Sequence, residues 1–293
     1  MGLDVETFLR ISGLRRILEQ RNYLNPDDAV PTVLYHYTSS AGFEGILREH
    51  ELRATNYSFL NDPTEVTYGR SIVDAALTVE GQNPAENGLL DRIAANVDID
   101  TLSEIYVFSC TELPDDLAQW RAYGGAGLER YCIGVDTDAL FHIAHDTQKS
   151  ALDRVVYHRD SQIARVREAL QRTVRFCRDN NIADHERESC AVTAAEFISR
   201  LLPFLKNPAY RQEAEWRLVR WVNHGTGQPR FDTARGVLRP YLSFTLGEVL
   251  PINSVSVLAP ARREAALKAS TMILASAGLP HVVPTHSEVP FVD

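Results

Sequence analysis

Three short stretches place polar, chemistry-bearing side chains within or at the end of apolar, strand-like runs. The first is Leu34-Tyr35-His36-Tyr37-Thr38. The second is Phe108-Ser109, followed by Trp120 and Tyr123. The third is Glu213-Ala214-Glu215-Trp216-Arg217-Leu218-Val219. On a strand, residues two apart share a face, so Glu215 and Arg217 would line up on one side. Two carboxylates can stabilise a developing cation and move a proton. A guanidinium suits a phosphate, because its fork binds oxygens in pairs. Each stretch also has a plainer reading. His36 can be a satisfied core histidine, and Trp120 and Tyr123, three apart on a helix, would pack as neighbours anywhere. Glu215 and Arg217 can pair with each other and do nothing else.

The elements that must position these residues follow from periodicity and punctuation. An amphipathic pattern predicts a helix over residues 5–20, and Asn25-Pro26-Asp27 breaks the chain. A strand is expected at 33–37, a Ser-capped helix at 40–48, an extended run at 51–55 and a helix at 64–79. A polar Gly/Asn/Pro stretch follows at 81–87. The run IYVFSC predicts a strand at 105–110. Pro114-Asp115-Asp116 opens a helix reaching Tyr123, which Gly124-Gly125 ends. Strands are expected at 131–135 and 154–158. Apolar stripes at Ile163, Val166, Leu170 and Val174, then at Ala194, Ile198 and Leu201, predict a helical hairpin inserted at about 159–202. Strands at 215–222, 238–244 and 252–258, a helix at 262–277 and a short strand at 282–283 complete the chain. Residues 1–30 read as a helical extension and 31–293 as one domain.

Composition narrows the function classes. The chain has 293 residues, 44% of them hydrophobic, which suffices for a sizeable core. No apolar run approaches the ~18 residues that span a bilayer. The start MGLDVETFLR has no signal-peptide pattern, and Glu6 stands where a myristoylation signal wants Ser or Thr. The expectation is a cytoplasmic protein without a membrane partner. A net charge of −9, from 30 Lys+Arg against 39 Asp+Glu, argues against nonspecific nucleic-acid binding. The four cysteines form no CxxC pair and are expected to be buried free thiols. Cys177, His185 and Cys190 match no zinc spacing, so no metal is expected. Neither a GxGxxG nor a Walker loop is present.

Together and in this order, the three stretches resemble the ADP-ribosyltransferase superfamily. His36 and Thr38 match its His-Thr/Ser pair on the first strand, and GFEGILREHELRAT resembles the helix and strand that follow. Residues 105–123 resemble its strand-to-helix element, with Trp120 and Tyr123 at the positions of a Ser and a Tyr. Glu215 matches its late glutamate, and Glu213-Ala214-Glu215 its Glu-x-Glu pattern. YHYTS, FLND at 59–62, the Trp-x-x-Tyr pair and ExEWR resemble more closely a bacterial domain-of-unknown-function family, numbered 2971, from about Val33 to the C-terminus.

The resemblance implies an α+β fold of two packed, mostly antiparallel sheets around an NAD cleft, with the helical insertion. It implies an NAD-dependent mono-ADP-ribosyltransferase, of toxin or phage-defence type, acting on a macromolecular acceptor. Glu215 would stabilise the ribosyl cation and Glu213 would handle the acceptor. Tyr123 would stack on nicotinamide, His36 would bond the adenosine ribose, and Thr38, Trp120 and Ser109 would complete the NAD contacts. Arg217 would neutralise the pyrophosphate. An NAD glycohydrolase with the same residues is one alternative. A catalytically inactive nucleotide- or partner-binding sensor is another, and its mark would be Glu215 buried against Arg217.

Overall fold

The computed structural model describes residues 12–18, 29–60, 64–80, 84–97, 105–122, 129–147, 149–223, 227–234, 236–259 and 261–290. In chain order the elements are α1 (residues 12–18), β1 (Val33–Ser39), α2 (Ser40–Glu49), β2 (Glu51–Asn56), α3 (Glu65–Glu80), α4 (Pro84–Asn96) and β3 (Ile105–Thr111). Next come α5 (Leu117–Ala122), β4 (Arg130–Asp136), α6 (Thr137–Asp146), β5 (Ser150–Arg154), α7 (Arg159–Asp179) and α8 (Arg187–Leu201). The chain closes with β6 (Glu215–Trp221), β7 (Arg230–Ala234), β8 (Val237–Thr245), β9 (Ile252–Leu258), α9 (Arg263–Ser276) and β10 (Thr285–His286). They fall into two compact units. One comprises Met1–Ala29, Leu60–Glu104 and Val156–Tyr210, the other Val30–Phe59, Ile105–Val155 and Arg211–Asp293.

The sheet-bearing unit is α+β, with one ten-stranded sheet in the order β10-β9-β4-β1-β3-β2-β8-β7. β6 pairs with β3 and carries β5 on its far edge. All its ladders are antiparallel except β10 with β9. The two separate sheets expected from the sequence are thus one continuous sheet. The reason lies in β3. One of its edges is taken by β6 along its whole length, from Ile105↔Trp221 to Thr111↔Glu215. The other is divided between β2, at Val107 and Tyr106, and β1, at Tyr35↔Thr111 alone. Among the described residues a single registered pair therefore joins the block β10-β9-β4-β1 to the rest.

One apolar core serves both blocks. Leu34, Ile133 and Val135 meet Phe108, Trp216 and Leu218, and Phe43 and Leu47 of α2, Leu140 of α6 and Leu274 of α9 cover them. Each such side chain contributes about 1.5–3 kcal/mol by leaving water. Local chemistry fixes the helix ends. Ser39 caps α2 by accepting from Gly42 N at 3.2 Å. Gly42 also lets α2 pack straight back on β1, since a Cβ there would lie 2.0 Å from Thr38 Oγ1.

In the helical unit, α7 and α8 fill the span of the expected insertion, but they associate with α3 and α4 in the same unit. Buried Gln162 ties them to the following turn. It donates to Val156 O (2.6 Å) and Lys206 O (2.7 Å) and accepts from Tyr68 Oη (2.7 Å). The polar stretch read as a loop at 81–87 becomes helical from Pro84, where proline's fixed φ suits a first helical turn. The strand expected at 154–158 lies earlier, at 150–154, and the last one lies later, at 285–286. All four cysteines are buried and free. Among the described residues no helix is long and apolar enough to cross a membrane.

Candidate functional site: a clamped glutamate turn

The ladder β3–β6 ends where the acidic stretch begins. Glu215 opens β6, and Ala214 before it takes a left-handed conformation with φ of 43°. For a residue with a Cβ this costs about 1–2 kcal/mol, so surrounding contacts must impose it. Glu213 O accepts from Thr111 Oγ1 (2.7 Å) and from Gln119 Nε2 of α5 (3.3 Å). Ala214 O accepts from Glu112 N (3.2 Å), Ala214 N donates to Arg211 O (3.3 Å), and Glu215 O accepts from Val155 N (2.9 Å). Three consecutive carbonyls are thereby tied to partners outside their own strand.

The Glu215 side chain is buried together with Arg217, at 6% and 1% exposure. Arg217 donates from Nε to Oε1 at 2.8 Å and from Nη2 to Oε2 at 3.0 Å. Both carboxylate oxygens are engaged by one fork, the arrangement that holds a carboxylate most rigidly. Two nitrogens of Arg217 are therefore committed to a carboxylate, not directed to the pyrophosphate expected from the sequence. Glu213, on the far side of Ala214, is half-buried. Trp216, pointing the other way, donates from Nε1 to Glu112 Oε1 at 2.7 Å, and Arg154 bonds the same oxygen at 2.8 Å.

Register decides which other residues share the Glu215 face. Gly134, Tyr35, Thr111 and Glu215 form one row across β4, β1, β3 and β6. Ser109, Arg217 and Asp153 form the next. Tyr35 is half-buried, and its ring lies on Gly134, where a Cβ would come within 3.2 Å of Tyr35 Cε1. Its hydroxyl pKa is raised, chiefly by burial.

His36 alternates to the opposite face. Its ring lies on Phe108 with centroids 4.3 Å apart, and its Nδ1 donates to Ser109 O at 2.9 Å. Burial lowers its pKa to about 4, leaving the imidazole neutral near pH 7. Phe108 belongs to the core face of β3, whereas Ser109, Thr111, Glu215 and Arg217 occupy the other. His36 and Glu215 are thus not brought onto one face, because their strands present opposite parities. Thr38 sits against Gly42 and holds α2. Trp120 is fully buried, edge-on to Tyr37 at 4.8 Å, and donates from Nε1 to Asp115 Oδ1 at 2.6 Å. Its side chain is enclosed and bonded within the aromatic packing, so it presents no exposed ring face. Tyr123 lies outside the described residues.

Sequence reasoning passed over Tyr35, Thr111 and Gln119. Tyr35 stood in the same run as His36, and only the ladder shows which parity meets Glu215. Thr111 and Gln119 carry no signal of their own, since their role is to bond a backbone carbonyl far along the chain.

The model of a protein family of unknown function, DUF2971, matches residues 119–218, about a third of the chain. The matched stretch begins at Gln119 and closes just past Glu215 and Arg217, so it includes one side of the clamp and the acid pair. YHYTS and FLND fall outside it. No curated protein and no solved structure matches the chain.

Proposed function

We propose that the chain cleaves the nicotinamide–ribose bond of NAD and passes ADP-ribose to a macromolecular acceptor, with the Glu213–Ala214–Glu215 turn as the reacting element. The observation that carries this reading is the left-handed Ala214, held between two glutamates by bonds from β3, α5 and the segment after β5. A strained backbone maintained by several independent partners is characteristic of sites where orientation matters. Losing nicotinamide builds positive charge on the ribose carbon, as in glycoside cleavage. Glu215, fixed by Arg217, would face that charge without reorganising. Glu213 would take the acceptor proton as the new bond forms. Tyr35, on the Glu215 row, joins Tyr123 as a ring for stacking. A toxin or phage-defence role is the setting that the superfamily resemblance suggests.

One observation favours a second reading, a nucleotide- or partner-binding protein without turnover. Both oxygens of Glu215 are engaged in a buried pair. The deciding experiment incubates the full chain with labelled NAD, with and without cell lysate, and follows nicotinamide release and label transfer separately. Release that requires Glu215, with label on a macromolecule, supports transfer. Free ADP-ribose without an acceptor makes water the acceptor. NAD binding by calorimetry with no release supports the second reading, and equal release by wild type and a folded Glu215→Gln variant rejects the first.

A further inference from the structure

We infer that Gln119 is a positioning residue for the glutamate pair: with Thr111, it holds the Glu213 carbonyl so that Ala214 stays left-handed and the two carboxylates stay aimed. The inference rests on the transfer reading for its catalytic consequence, but its structural basis is independent. Glu213 O has two donors from different elements, Thr111 Oγ1 at the end of β3 and Gln119 Nε2 on α5. Gln119 is itself buried, and its backbone N donates to Asp116 Oδ1 at 3.0 Å, which anchors the start of α5. Thr111 Oγ1 also accepts from Leu113 N at 3.2 Å, and so cannot swing away without breaking two bonds. The peptide beyond Glu213 then has no choice of direction. Alanine gains nothing from the left-handed region, so the conformation belongs to the clamp and not to the residue.

This makes a distinctive demand on mutants. If Gln119 acts by imposing a conformation that alanine resists, a glycine at 214 relieves the need for it. Gln119→Glu keeps shape but turns the donor into an acceptor facing a carbonyl. It should lower the turnover of nicotinamide release about tenfold or more, with the KM for NAD within about twofold. Gln119→Ala should do the same, and adding Ala214→Gly should recover most of the loss. Urea unfolding of the wild type, both single variants and the double variant gives a second readout, in which the two changes are non-additive.

Additive stability changes and an unrescued Gln119→Ala would overturn the inference, since a merely structural glutamine has no reason to be relieved by glycine across the turn. Rescue of turnover together with non-additivity establishes it. Wild type that releases no nicotinamide rejects the transfer reading and the catalytic role with it, while the stability cycle still decides whether the clamp exists.

Discussion

Two regions that look alike in sequence are built on different principles. The acid turn, Glu213 to Arg217, joins a strained backbone to polar partners that reach in from β3, α5 and the segment after β5. The aromatic corner, around Tyr37 and Trp120, is relaxed and satisfied. Tyr37 Oη donates to Leu113 O and accepts from Asp116 N, both at 2.9 Å. Asp115 accepts from Trp120, from Ser287 Oγ at 2.6 Å and from Glu288 N at 2.9 Å. A polar residue in an apolar run thus belongs to a strained turn in one place and is a rivet in the other. The difference is whether its bonds impose strain or absorb it.

Four experiments break or sharpen that contrast. The largest effect is expected for Arg217→Met, which removes the guanidinium that bonds both oxygens of the buried Glu215 carboxylate. Removing one partner of such a pair costs roughly 3–5 kcal/mol. Urea unfolding should show this, and Arg217→Met with Glu215→Leu should recover most of it. A double variant no more stable than the single one would mean that the pair is not an isolated unit. Next, Glu215→Gln should reduce nicotinamide release by about 10²–10³-fold in the fraction that folds, as for loss of one preorganised charge. Activity per folded molecule, standardised by circular dichroism, is the measurement.

The aromatic corner should respond in stability only. Trp120→Phe leaves Asp115 Oδ1 one donor short and should cost about 1–3 kcal/mol, with NAD affinity unchanged by calorimetry. Weakened binding at full stability would move Trp120 back among the site residues. The last test concerns pH. The folded-state pKa of His36, about 4, lies below its ordinary 6.5, so the unfolded chain binds the proton more readily. Stability should be fully present above about 6.5 and fall as pH drops toward 4. His36→Phe should flatten that part of the profile in denaturation at pH 4.5 and 7.5, and an unchanged slope would show that other groups set it.

Much of the fold was legible because local periodicity and punctuation carry it. The hairpin at 159–202, the strand IYVFSC and the capped helix after Thr38 all follow from patterns within a few turns. What was not legible is long-range. β3 shares its second edge between β1 and β2, and nothing in IYVFSC states that. Parity is the same kind of unknown. His36 and Tyr35 are adjacent in sequence, yet the ladder alone decides that Tyr35 joins the row of Glu215. Ala214 is the clearest case. An alanine gives no hint of a left-handed turn, because the cause lies in Thr111 and Gln119.

That separation has a kinetic consequence. Thr111 and Glu213 are 102 positions apart, and Gln119 and Glu213 are 94 apart. Closing a loop of about a hundred residues costs on the order of 4 kcal/mol of chain entropy, which only the finished sheet recovers. During synthesis the chain emerges at about 5–20 residues per second, so β3 and α5 wait several seconds or more for the strand that completes them. The acid turn is therefore expected among the late structures to form, and a truncated or half-folded chain carries every residue of β3 and none of the geometry of the turn.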